Sequence, residues 1–232
     1  MVNNFDFKQY NNHYPTINKN RSTKAEKIKL VLEQHISELG SCVVADLGCS
    51  NGIITSYLSS FVKKIYGFDI EISQIDKNID LRPDNCSFIQ SNIINLPLEN
   101  ESVDVVICNH VYQWVDNHDL LLQEINRILK PNGSVYFSGP TRFTIYGENK
   151  VYFAAIFPIK IRKFWLKLWK GKILYPLNYL YPIQIVRLFR DYDKIVVFPF
   201  FLGINFNSKF LWKIGNSINI ISPTAVYLFK KK

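Results

Sequence analysis

Two carboxylates stand where chemistry can use them. Asp46 follows Val43-Val44-Ala45 and leads into Leu47-Gly48-Cys49-Ser50-Asn51-Gly52. Asp69 ends the run Lys64-Ile65-Tyr66-Gly67-Phe68, 17 residues after Gly52. An acid at such a position repels a pyrophosphate but attracts an ammonium or sulfonium. At the spacing of Asp69, a carboxylate can accept hydrogen bonds from both hydroxyls of a ribose. Glycines between the acids let the backbone approach a ligand and take positive φ. A third group, His110 in Asn109-His110-Val111, follows another apolar run. It is the candidate for proton transfer, the plainer alternative being that it only lines a pocket.

These residues need an open α/β sheet to bring them together. Val43–Leu47 is apolar and β-branched, as a strand buried on both faces should be, and Ile53–Phe61 then reads as a helix. Strand, glycine turn and helix N-terminus together form a ligand site. A helix capped at Ser22 or Thr23 runs to about Leu39, with Gly40 as its stop. Lys64–Ile70 and Cys86–Gln90 read as the second and third strands, with a short helix over Glu71–Asp80 between them. Val103–Cys108 and Ser134–Ser138 read as the fourth and fifth strands. A helix capped at Asp116, with Leu121, Leu122, Ile125 and Leu129 on one face, joins these two. Helix Ile183–Phe189 and strands Lys194–Phe201 and Ala225–Lys230 close the chain. Ligands in such sheets sit beyond the carboxyl ends of the strands, where Asn109 and His110 fall.

Asp46-x-Gly48-x-Ser50-x-Gly52 resembles the first motif of class I S-adenosylmethionine (SAM) methyltransferases, type 11-like, with Ser50 at the middle glycine. Asp69 resembles the second motif. Asn92 stands where the family carries an Asp that meets the adenine amine, and an Asn carbonyl can accept the same bond. Leu96-Pro97-Leu98 resembles the turn into strand four, and Arg127-Ile128-Leu129-Lys130-Pro131-Asn132-Gly133 resembles the turn into strand five. In that turn Asn132 replaces a glycine and tolerates the left-handed conformation. The resemblance covers residues 40–139. It implies a three-layer, Rossmann-like, doubly wound sheet of seven strands in the order 3-2-1-4-5-7-6, with the last strand antiparallel. It implies SAM as cofactor, held by Asp46, Gly48, Cys49, Ser50, Gly52, Asp69, Ile70, Asn92, Ile93 and Asn109. No metal is expected. An activated methyl needs positioning more than a catalytic triad.

The chain has 232 residues and a net charge of +9, unevenly spread. Residues 1–149 carry −4 and residues 150–232 carry +13. The expected organisation is an N-terminal arm and cap helix (1–40), the SAM-binding core (41–139), a basic aromatic insertion (140–182) and the rest of the sheet (183–232). The arm, with Phe5, Phe7, Tyr10, His13, Tyr14 and Arg21, reads either as a lid over the cofactor or as a loose arm. In the insertion, Ile161, Phe164, Trp165, Leu168 and Trp169 share one helical arc, and Lys160, Lys163, Lys167 and Lys170 face the other way at about 100° per residue. Three partners fit this stretch: an anionic membrane surface, the domain itself beneath a lid, or nucleic acid, for which the arginine-poor context argues weakly. No apolar run reaches the ~18 residues of a spanning helix, and the Asn-rich start lacks an apolar signal core. The four cysteines read as reduced, buried thiols. The expected protein is therefore cytoplasmic, or peripheral at a membrane. Its expected activity is methyl transfer to a small-molecule or lipid-linked acceptor. The alternatives are RNA methylation through the basic half and a non-catalytic SAM-fold module.

Overall fold

The computed structural model describes residues 15–72, 75, 83–143, 178–199 and 224–232. The arm at residues 1–14, most of the short helix expected between the second and third strands, and the basic stretch 160–170 lie outside the described residues. The sheet has seven strands in the order β3-β2-β1-β4-β5-β7-β6, as expected. They are β1 (Val43–Leu47), β2 (Lys64–Asp69), β3 (Cys86–Gln90), β4 (Val103–Asn109), β5 (Leu129–Pro140), β6 (Tyr192–Pro199) and β7 (Thr224–Lys231). The helices are α1 (Pro15–His35), α2 (Ile53–Ser59), α3 (His118–Ile128) and α4 (Pro182–Leu188). The chain divides into two compact units, residues 1–108 with 123–136 and 230–232, and residues 109–122 with 137–229.

In the first unit, β1 pairs in parallel with β2 on one side and β4 on the other. The register sets Asp46 beside Gly67 and Ile107, and β2 sets Asp69 beside Gln90 of β3. The central position of β1 explains its unbroken apolar run, since neither face meets water. Asp104 fixes the start of β1 by accepting the Val43 N–H at 2.8 Å, and it pairs with Lys130 at 2.8 Å. Buried Glu124 accepts the Leu96 N–H at 2.6 Å, while Arg127 donates to the Leu96 and Leu98 carbonyls at 3.0 and 2.6 Å. The Leu-Pro turn into β4 is thereby held by α3. The Arg127 hydrogen bond, ahead of the opposing cost of burial, keeps Glu124 below the usual carboxylate range.

Several boundaries differ from the sequence reading. Helix α1 begins at Pro15, seven residues before the expected cap at Ser22, and ends at His35. Proline suits the first turn of a helix, where its missing N–H has no partner to lose. Among the described side chains of α1, Ala25, Ile28 and Leu32 are buried. The cap of α3 is Asn117 rather than Asp116, because its Oδ1 accepts the Asp119 and Leu120 N–H groups at 3.0 and 3.2 Å. Strand β5 starts at Leu129, before Ser134, and runs through the left-handed Asn132 at φ 62°.

The second unit is organised by stacked rings. Phe189 stacks on Phe229 with centroids 4.3 Å apart, Phe137 meets Phe189 at 5.1 Å, and Tyr112 meets Phe137 at 5.0 Å. Offset and edge contacts of this kind add to simple burial. Gly139 admits the Tyr112 ring so closely that an added Cβ would lie 2.6 Å from Tyr112 Cε1. Gly139→Ala should therefore cost about 1–3 kcal/mol of stability through overpacking, read as a lowered urea midpoint with an unchanged slope.

Candidate functional site

The turn after β1 is built from alternating left-handed residues: Gly48 at φ 73°, Ser50 at φ 52° and Gly52 at φ 77°. Gly52 is also the residue before α2, so the turn delivers the chain straight into a helix N-terminus. Glycine accepts such φ values without strain. Ser50 does not, and it is held there by partners. Its N–H donates to Asp69 Oδ2 at 2.7 Å, and its hydroxyl oxygen lies 3.2 Å from Arg21 Nη2. Arg21 Nη1 donates to Asn51 Oδ1 at 2.7 Å. Helix α1 is thereby tied to the turn by one guanidinium. Ser50→Gly should relieve the backbone at the loss of one weak contact, raising stability by about 1 kcal/mol; chemical denaturation reads this directly.

Asp46 is 3% exposed and accepts the Thr55 hydroxyl at 2.6 Å. Burial pushes its carboxyl up to about 7, against the Thr55 hydrogen bond, with the Asp69 charge adding to the rise and Arg21 opposing it. Such a carboxyl gains its charge readily when a cationic ligand group arrives. Asp69 is half-buried, its Oδ2 on the Ser50 N–H and its Oδ1 on the Glu71 N–H at 3.1 Å. It therefore braces the glycine turn as well as standing at its edge. Cys49 is buried, and its thiol is pushed upward by burial. Next to Asp69, Ile70 leaves 70% of its surface exposed. Asn92 is exposed and closes its own turn by accepting the Ile94 N–H at 3.2 Å, with Ile93 buried behind it.

All of these residues belong to the first unit. Asn109 and His110 belong to the second. There the Asn109 Oδ1 accepts the Ser138 hydroxyl at 2.7 Å. His110 is left-handed at φ 56°, its N–H on the Ser138 carbonyl at 2.8 Å and its carbonyl on Gln113 Nε2 at 2.9 Å. Gln113 and Arg21 hold these turns, and sequence reading gave neither that part. Among the described residues no group of His, Cys, Asp and Glu could hold a metal ion.

The family described as "methyltransferase domain" matches residues 45–137, a span that starts one residue before Asp46 and ends within β5. The match lies over the acid–glycine turn and within the 3-2-1-4-5-7-6 sheet. Residues 45–137 carry a methyltransferase domain, on the fold of the SAM-dependent methyltransferases. The chain is 28% identical over 89% of its length to the ubiquinone biosynthesis O-methyltransferase of Rickettsia typhi, covering 78% of it. It is 32% identical over 49% of its length to the malonyl-[acyl-carrier protein] O-methyltransferase of Bacillus cereus. The chain spans 43% of the Bacillus protein and only 20% of another of the first curated relatives it matches. The SAM-dependent methyltransferase structure from Mesorhizobium loti shares its fold, with a TM-score of 0.60 at 15% identity, over 87% of this chain and 96% of that one. Family and fold imply SAM as the cofactor, and the residues present fit it. Two acids and a glycine turn suit a ribose and a cationic sulfonium amino acid, and would oppose a diphosphate.

Proposed function

We propose that this chain moves a methyl group from SAM to an oxygen of a small-molecule or lipid-linked acceptor. The observation that carries the reading is the Asp69–Ser50 bond, which joins a ribose-spaced carboxylate to a left-handed turn that leads into α2. In this reading Asp69 receives the ribose hydroxyls, and the exposed side chain of Ile70 lies under the adenine. Asn92 and Ile93 border the base. The backbone of Gly48, Cys49, Ser50 and Gly52 passes close to the amino-acid portion. Asp46 balances its cationic charge, and Asn109 completes the holding set. Bound SAM supplies a methyl already activated by a positive sulfur. His110 receives the proton that the acceptor's hydroxyl gives up as its oxygen takes the methyl. Two relatives, the Bacillus and Rickettsia proteins, are O-methyltransferases, which supports oxygen as the acceptor atom.

Residues 160–170 suit a greasy acceptor presented at an anionic surface. Four lysines near such a surface contribute about 1 kcal/mol each, enough for reversible, salt-sensitive attachment. Among the described residues no helix is long and apolar enough to cross a membrane. Sedimentation with anionic vesicles in low salt tests this part, and Trp165→Ala with Lys163→Glu and Lys167→Glu should release the protein.

The deciding experiment supplies methyl-labelled SAM and a fractionated cell extract to the purified protein. Label in the lipid or small-molecule fraction upholds the proposal. Label in RNA replaces it with an RNA methyltransferase. SAM binding without label in any fraction replaces it with a non-catalytic module.

A further inference from the structure

We infer that Gln113 is a positioning residue that fixes the direction in which the His110 imidazole leaves the end of β4; the inference rests on His110 as proton acceptor. A histidine at φ 56° is strained. Such a conformation persists only where the surroundings over-determine it. Here both sides of the His110 backbone are held. Its N–H donates to the Ser138 carbonyl at 2.8 Å, and its carbonyl accepts from Gln113 Nε2 at 2.9 Å. The first bond comes with the neighbouring strand. The second comes from a side chain chosen for it.

Gln113 is 0% exposed. Burying a primary amide is costly, and a leucine of similar size would fill the place without that cost. The amide is retained in a rigid setting. The Gln113 backbone carbonyl accepts the Asn178 N–H at 2.8 Å, and Asn178 Nδ2 reaches back to the Val115 carbonyl at 3.1 Å. Next to it, Tyr112 is locked by its hydroxyl on the Pro140 carbonyl and by the close approach of Gly139. Gln113 thus has a fixed backbone from which to reach His110, and its hydrogen bond goes to the one strained residue of the corner. Held this way, the imidazole keeps one direction relative to β4. Released, His110 would relax toward a right-handed or extended backbone and its ring would swing.

The test compares wild type, Gln113→Leu, Gln113→Met, His110→Ala and the Gln113→Leu/His110→Ala double variant. Four histidines make the imidazole proton spectrum simple to assign, with His110→Ala identifying one signal. Both Gln113 variants should fold cooperatively and bind SAM within about twofold of wild type. Their His110 signal should titrate at a displaced midpoint, and diethylpyrocarbonate should modify His110 at a rate changed at least about threefold, while His35 and His118 stay as they were. Turnover on the cell fraction that takes label should fall in Gln113→Leu, and the double variant should be no slower than His110→Ala, since both act through one group. A His110 signal and reactivity identical to wild type in both folded Gln113 variants overturns the inference, as do rate losses that multiply. Full turnover in His110→Ala instead overturns the proton-acceptor reading, so the two failures are told apart.

Discussion

Asp69→Ala is expected to weaken SAM binding by about 100-fold or more. A hydrogen bond to a charged partner is worth about 1.5–3 kcal/mol, so the ribose contact alone accounts for roughly 10- to 150-fold. The same carboxylate also holds the Ser50 N–H at 2.7 Å, and without it the strained turn loses its brace. The loss should therefore lie toward the upper end of that range. Asp46→Ala removes the buried counter-charge and should fall in the same range. Its signature is the pH dependence. In the free protein the Asp46 carboxyl titrates near 7, so a cationic ligand that wants it ionised must displace a proton below that pH. Wild-type affinity should be greatest above pH 7 and fall about tenfold per pH unit on going below it. Asp46→Ala should abolish the slope. The stability linkage has the same origin. The folded carboxyl sits above its unfolded value, so the free protein loses stability as pH rises from the ordinary carboxylate range toward 7. Bound SAM should restore that loss. Isothermal titration across pH 5–8 reads both effects; a flat wild-type profile, or intact SAM binding in folded Asp46→Ala and Asp69→Ala, would remove the site.

His110→Ala is expected to leave SAM affinity within about twofold and to reduce turnover by roughly 10²–10⁴, the span of general-base assistance. At saturating SAM, where Asp46 no longer limits binding, the acid limb of the pH–rate profile should vanish with it. A loss below tenfold would leave His110 the pocket-lining role alone. His110→Gly adds a control specific to this backbone. Glycine accepts φ 56° without strain, so it should be about 1 kcal/mol more stable than His110→Ala while being equally slow. The pair separates the strain carried by the turn from the chemistry carried by the ring.

The parts legible in the sequence were those encoded over short spans. β1 shows as an apolar run because it is buried on both faces, and Asp46 and Asp69 show because strand ends are spaced regularly by the helix between them. Asn132 could be assigned a left-handed turn, which it adopts at φ 62°, because its residue type tolerates one. Contacts between distant residues left no local trace. Arg21 looked like one more polar residue of the arm, yet its guanidinium reaches Asn51 across 30 positions. Gln113 carries no local sign of burial; only the folded corner buries it and leaves Trp114 50% exposed. The start of α1 was missed because its cap was chosen by residue type at Ser22, while the backbone is already helical from Pro15. Asp116 and Asn117 can both cap a helix by type, and only geometry chose between them.

Phe88 of β3 gives the glycine turn a partner that no binding motif includes. Its ring occupies the space above both Gly52 and Gly67, where added Cβ atoms would lie 2.6 and 2.8 Å from it. The three positions therefore behave as a single heritable unit. A lineage can enlarge residue 67 only after residue 88 has shrunk, and a smaller residue 88 leaves a void beneath the turn that some other change must fill. Drift at these sites should be concerted, and a library that randomises Phe88 together with Gly67 should recover folded sequences that neither single-site library contains.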